Sequence, residues 1–405
     1  MDPNHPVGLY LAVPFCKAKC SFCNFASDAF APQRMDAYVD RLCTEVSLAR
    51  DAAAAKCAIL ARTADSIYFG GGTPSLLSSE QFRRIFTTLG GHFDLADNAE
   101  TTIECAPGQL SDETLDELLR QGVNRISLGV QSFLDREAAA VGRLHTGKEC
   151  ESEIQRLRSA GIAEVCLDLI VGLPHQTENS WRESLQRAIA SGVTHISVYM
   201  LEVDEDSRLG REVIEGGARY GAAAVPDEDT AAAWYELGCS LLEAAGVHQY
   251  EISNFSRTGH ESRHNSKYWR RQPYIGFGLD AHSMLLTDGG AVRFQNTDDL
   301  DSYSQDRGPL TVMPRSKVPT AEYLTREAAF EESLFLGLRM SVGVDIAVLR
   351  HDYGDLLERV IPSVKEIEAA GLLTVKDGWM RLTQSGRMAS NEVFSRLLIA
   401  EAVEA

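Results

Sequence analysis

Residues 14–25 read PFCKAKCSFCNF and place Cys16, Cys20 and Cys23 in a C-x3-C-x2-C spacing. A structural zinc site normally closes its tetrahedron with four protein ligands, often as two separated C-x2-C pairs. No second pair exists in this chain, because Cys43, Cys57, Cys105, Cys150, Cys166 and Cys239 are scattered singly. Three neighbouring thiolates instead suit a cubane iron–sulfur cluster that leaves one iron open to another ligand.

Working outward, 405 residues suffice for one large domain and a smaller one. A formal charge of −19 argues against a broad nucleic-acid surface, which needs a basic footprint. No apolar run reaches membrane-spanning length, and the first residues lack the basic-then-apolar order of a signal peptide. That leaves room for transient membrane contact only. Nine cysteines without paired spacing fit a reducing compartment, so a cytoplasmic location is expected. Cys105 and Cys166 lie in apolar runs and read as small core residues.

One pattern recurs in LLRQGVNRISLGV, RLRSAGIAEVCLDLI, AIASGVTHISVYML and LLEAAGVHQYEIS. Each ends a helical stretch, places a glycine (Gly122, Gly161, Gly192, Gly246), and enters an apolar, β-branched run. A left-handed residue after the last helical turn, followed by a strand buried on both faces, produces this order. With the runs near 8–13, 66–69 and 101–105, about seven strands alternate with helices, which predicts an α/β fold with a parallel sheet. Polar residues collect at strand ends: the cysteine loop, the GGGTP turn, Glu104, Gln131 and Asp168. A rim fed by consecutive strands favours a complete or partial (β/α) barrel over an open doubly wound sheet. Residues 204–229 read as an acidic surface loop, and prolines around 303–325 place a domain boundary near 310. The barrel domain is thus expected over 1–310, and 311–405 as a smaller α+β domain resembling a winged helix. Between 361 and 405, five basic residues face six acidic ones, which does not suit DNA.

With these features in place the chain resembles the radical S-adenosylmethionine (radical-SAM) proteins. More narrowly it resembles the oxygen-independent coproporphyrinogen III dehydrogenase superfamily, and within that the HemW-type haem chaperones. The resemblance implies that Cys16, Cys20 and Cys23 hold a 4Fe–4S cluster whose open iron is chelated by SAM. Gly71, Gly72 and Thr73 match the glycine-rich turn that lies against the methionine moiety. Glu104, Gln131, Arg143 and Asp168 match SAM-contacting positions; carboxylates suit ribose hydroxyls and a guanidinium suits the SAM carboxylate. Tyr10, and Phe22 through its backbone, match two further cofactor-contacting positions. Two departures stand out. Ala12 occupies the place of a usual histidine in Y-x-H-x-P-F-C, and Phe25 that of the fourth cysteine of the catalytic dehydrogenases.

The stretch RHNSKYWRRQPY (263–274) resembles an H-N-x-x-Y-W haem-binding motif. On a helix His264 and Tyr268 share one face, as do Asn265 and Trp269. His264 is then a candidate iron ligand, with His282 next in line, and Arg263, Arg270 and Arg271 are candidate partners for haem propionates. The resemblance implies a haem chaperone with haem as cargo, held covalently or not, served by an electron donor and an acceptor protein. The alternative is a radical enzyme acting on a tetrapyrrole; the missing fourth cysteine disfavours coproporphyrinogen decarboxylation.

Overall fold

The backbone follows the period of that glycine-closed repeat. The computed structural model describes residues 5–27, 33–305 and 321–399. Its main body is built on strands β1 (Val7–Val13), β2 (Thr63–Gly71), β3 (Asp94–Cys105), β4 (Arg125–Gln131), β5 (Glu164–Val171) and β6 (His195–Met200). These pair in sequence order and in parallel, each linked through helical segments. Gly122, Gly161, Gly192 and Gly246 all have positive φ, as a left-handed helix end requires.

The next strands depart from the repeat. After Gly246 the chain forms only short pieces, and β7 (Asn254–Ser256) runs antiparallel to β6. A seventh parallel strand comes from later, at β8 (Tyr274–Phe277), which pairs with the opposite edge at β1. Four residues between Pro273 and Gly278 carry too little periodicity to announce it. A hairpin, β9 (His282–Thr287) and β10 (Gly290–Gln295), extends that side. Two-residue strands complete a thirteen-stranded sheet. Its ends do not meet among the described residues, so the architecture is a partial barrel.

Outward side chains of this sheet are fully buried beneath helices, forming one core that includes Leu9, Ile67, Ile126, Leu167 and Ile196. Inward positions such as Tyr10, Tyr68, Glu104, Gly129 and Asp168 keep partial exposure and line an accessible lumen. The 204–229 segment is no plain surface loop. Its helix α1 (Arg208–Ile214) buries Leu209 against Val141, Ile170 and Leu173.

The boundary expected near 310 lies outside the described residues. Glu322–Tyr323 still adds an edge strand beside β10. Beyond it, α3 (Arg326–Arg339), β11 (Val344–Asp345), α4 (Ile346–Ala369), β12 (Leu373–Lys376) and β13 (Trp379–Leu382) enclose a second core around Phe330, Leu334, Val360 and Ile367. Tyr353, with φ of −140°, breaks α4 into two helices. Strand, two helices and a hairpin make the unit winged-helix-like. No helix among the described residues is long and apolar enough to cross a membrane.

Candidate functional site

The cysteine loop leaves the carboxyl end of β1 and is strapped from three sides. The Gly72 amide donates to Val13 O (2.9 Å) and the Thr73 amide to Phe15 O (2.7 Å). A Cβ on Gly72 would lie 2.7 Å from both those carbonyl oxygens, so only glycine lets the two turns touch. These two amides therefore brace the cysteine loop rather than point freely into the lumen. From the second side, the Ser21 amide donates to Val141 O (3.1 Å). From the third, the Leu209 amide at the start of α1 donates to Ser21 O (2.7 Å), and Asn24 Nδ2 to Asp204 (2.8 Å).

Within the loop the three thiols have distinct neighbours. Thr73 Oγ1 donates to Cys16 Sγ (3.7 Å), Arg143 Nη1 to Cys20 Sγ (3.4 Å), and Cys23 Sγ lies 4.0 Å from Ser27 Oγ. Burial raises the Cys16 and Cys23 thiols above their ordinary range, so metal binding there must release protons. Among the described residues no three His, Cys, Asp or Glu side chains converge as ligands of a single ion. A cubane does not ask that, since each thiolate binds a different iron. Soft donors alone, with no carboxylate or imidazole in the loop, fit iron–sulfur chemistry. Phe22 packs partly into the small cluster around Val141 and Leu209, whereas Phe25 is 63% exposed. Ala12 is buried, its carbonyl accepting from Tyr38 (2.7 Å).

The lumen beside the loop gathers the other strand-end residues. Tyr68 donates to Glu104 Oε1 (2.8 Å), and burial pushes the Glu104 carboxyl up to about 7. Burial also raises Asp168, against the pull of Ser197 and of Ser127, whose hydroxyl lies 3.1–3.2 Å from both carboxylate oxygens. Arg143 donates a second bond to Gly129 O, and its buried Nε has no partner. Gln131 holds a left-handed φ of 65°. A Cβ on Gly129 would come within 3.0 Å of both Gln131 Nε2 and Arg143 Nη2, so that glycine makes room for the two donors. Tyr10 stacks near Tyr68, ring centroids 6.1 Å apart. Arg143, with an unspent Nε–H, and the desolvated carboxylates beside the cysteine loop could receive the charged and hydroxyl groups of a ligand such as SAM. Sequence reasoning missed Tyr68, Ser127 and Gly129. The glycine inside a β-branched strand was the one available signal.

The RHNSKYW stretch lies at the other mouth. It forms α2 (Arg263–Trp269), capped by Ser262, whose hydroxyl accepts from the Asn265 amide (3.2 Å). Buried Glu100 accepts the Arg263 and His264 amides (3.0 and 2.9 Å), a carboxylate placed at the positive end of the helix. Lys267 Nζ reaches Pro6 O (2.9 Å) and Asp65 (2.8 Å), so α2 caps the amino ends of β1, β2 and β3.

His264 is fully buried, with Nδ1 2.9 Å from Ser66 Oγ and Nε2 2.8 Å from the Tyr268 hydroxyl. Its ring stacks on Tyr68 (5.3 Å), and burial lowers its pKa to about 3. The shared face foreseen for His264 and Tyr268 exists, but it forms the floor of the lumen and both ring nitrogens are engaged. Trp269 faces the C-terminal unit, with Arg339 4.3 Å over its ring and its buried Nε1 unpartnered. Arg271, foreseen as a propionate partner, is also turned inward: it is 4% exposed and pairs with Glu332 (2.9 Å). His282 is exposed on β9, away from α2 in sequence and on another strand.

A parallel partial barrel with three thiols on its first loop has the architecture of radical-SAM proteins. A sequence model of the Radical SAM superfamily matches residues 10–188, and one of the HemN C-terminal domain matches 324–389. The heme chaperone HemW of Bacillus subtilis (strain 168) is 33% identical over 96% of this chain and 98% of its own length. That of Lactococcus lactis subsp. lactis (strain IL1403) is 31% identical over 97% and 98%. Among solved structures, the coproporphyrinogen III oxidase HemN of Escherichia coli superposes with a TM-score of 0.80 at 22% identity, covering 98% of this chain and 91% of that one. The chain belongs to the HemW family of the radical SAM superfamily.

Proposed function

We propose that this protein is a haem-binding chaperone that holds a 4Fe–4S cluster and SAM, takes haem as cargo and passes it to an acceptor protein in the cytoplasm. The carrying observation is the end-to-end similarity to relatives named as heme chaperones. Phe25, exposed where the dehydrogenases place a fourth cysteine, supports the same reading. Cys16, Cys20 and Cys23 would hold the cluster, with Arg143 stabilising the Cys20 thiolate it already touches. When bound, cluster and SAM supply reductive cleavage of a sulfonium, for which an electron donor is needed. Glu104 and Asp168 would accept hydroxyl hydrogen bonds, and Arg143, Gln131, Tyr10, Phe22 and the turn Gly71–Gly72–Thr73 would bound the remainder of the SAM site. His264, Asn265, Tyr268 and Trp269 belong to the haem end.

Anaerobically reconstituted protein should bind haem at micromolar concentration, seen as a Soret band, and should not turn over coproporphyrinogen. Turnover without haem binding would replace the chaperone by an enzyme. For the SAM site, Arg143→Ala and Asp168→Ala should each lose roughly 1–3 kcal/mol of binding, the cost of unpairing a buried polar partner. In affinity that is about tenfold to a hundredfold, measurable by equilibrium titration.

A further inference from the structure

Ile67 and Phe69 of β2 go into the outer core, which turns Ser66, Tyr68 and Gly70 toward the lumen. Ser66 reaches His264 on the floor, its hydroxyl 2.9 Å from Nδ1. Tyr68 stands between the floor and the upper site. Its ring stacks on His264 (5.3 Å), and its hydroxyl donates to Glu104 Oε1 (2.8 Å). Gly70 makes room for that pair, since a Cβ there would fall 2.9 Å from Tyr68 Cε1 and 3.0 Å from Glu104 Oε1. Its φ is not positive, so space rather than backbone conformation calls for glycine inside this strand. The Gly71 amide gives Glu104 a second donor. An ionised carboxylate offers about four acceptor positions, so two donors leave capacity for a ligand.

The surroundings make this carboxylate hard to keep ionised. Burial pushes it up, the Asp168 charge adds to that, and only the Tyr68 and Gly71 donors pull it down. Arg143, the cation of the site, pulls on Asp168 instead. The other groups that act on it are the phenols of Tyr10, Tyr199 and Tyr268, which burial keeps protonated. Tyr68 stays a donor for the same reason, with the Glu104 charge holding its proton as well.

Resting on the SAM-binding reading, we infer that Tyr68 is a positioning residue of the upper site, holding the Glu104 carboxylate in place as an acceptor for the ligand. Its test is SAM titration of anaerobically reconstituted protein at a series of pH values on both sides of the Glu104 carboxyl, about 7. Glu104 is ionised above that pH and protonated below it, so wild-type affinity should fall as pH drops through neutrality. Tyr68→Phe keeps the ring on His264 and removes only the donor, which raises the carboxyl further. Its loss of affinity should therefore begin at higher pH, with binding about tenfold weaker at neutral pH and the gap narrowing toward alkaline pH. The amino group of SAM titrates alike in both profiles and cancels in their ratio. Gly70→Ala, whose Cβ wedges the pair apart, should shift the profile the same way. Tyr199→Phe removes a lumen phenol bonded to Ser197 instead, and should not shift it. Circular dichroism and iron content should match wild type in Tyr68→Phe. An equal loss at every pH in that variant, or no loss, would overturn the assignment while leaving the SAM site standing, as would the same shift in Tyr199→Phe. Wild-type protein that binds no SAM would overturn the SAM reading and this role with it.

Discussion

Cys20→Ala protein, reconstituted anaerobically with iron and sulfide, should lose most of the roughly four irons and four sulfides that a cubane in the wild type provides. Cys20 is the thiol nearest to full burial in the loop, and Arg143 already donates to it. Nothing nearby can replace it: beyond Cys16 and Cys23, which the cluster also needs, the loop carries no thiol, and Phe25 turns outward. Cys105→Ala and Cys166→Ala should keep the cluster, because both thiols are buried within strands β3 and β5. Iron and sulfide analysis, with the visible charge-transfer absorption, reads the result. A full cluster in the triple variant at 16, 20 and 23 would remove this loop as the site.

The second large effect concerns stability. Arg271→Ala should cost about 3 kcal/mol, since it removes the buried partner of Glu332 and leaves that carboxylate to Arg293 alone. Arg271 Nε donates to Glu332 Oε2 (2.9 Å) and its Nη1 to Ser333 Oγ (3.0 Å), joining the end of α2 to α3. Arg293 also contacts Glu332, which keeps the loss toward the lower end of the range for such pairs. Arg271→Lys should recover little, because an ammonium cannot hold the guanidinium's two directions at once. Denaturant unfolding gives the measurement. A change below about 1 kcal/mol would mean that the pair contributes no more than an exposed one.

Much of the upper site was legible from local sequence. Helix-closing glycines and two-faced apolar runs are short-range signals, and they locate β4, β5 and β6 together with the polar residues that end them. The three-cysteine spacing is likewise local. The extension of the sheet beyond β1 was not legible, because it depends on what pairs with β1 on its free side. That strand, β8, is four residues long and follows β1 by more than two hundred and fifty residues. The RHNSKYW helix shows the same limit more sharply. Its spacing correctly put His264 and Tyr268 on one face, but Ser66 and Glu100, which decide that this face points into the barrel, lie 198 and 164 residues away.

The stack of His264 on Tyr68 gives the two mouths of the barrel a common wall. Tyr68 is bonded to Glu104 on the lumen side and backed by His264 on the floor side. A ligand that took Glu104 away from Tyr68 would act on the ring against which His264 of α2 rests. Linkage makes any such effect reciprocal: the factor by which SAM changes the affinity for haem is the factor by which haem changes the affinity for SAM. The doubly loaded state then has one free energy whichever ligand arrives first, so the order of loading is left to kinetics and to the supply of each.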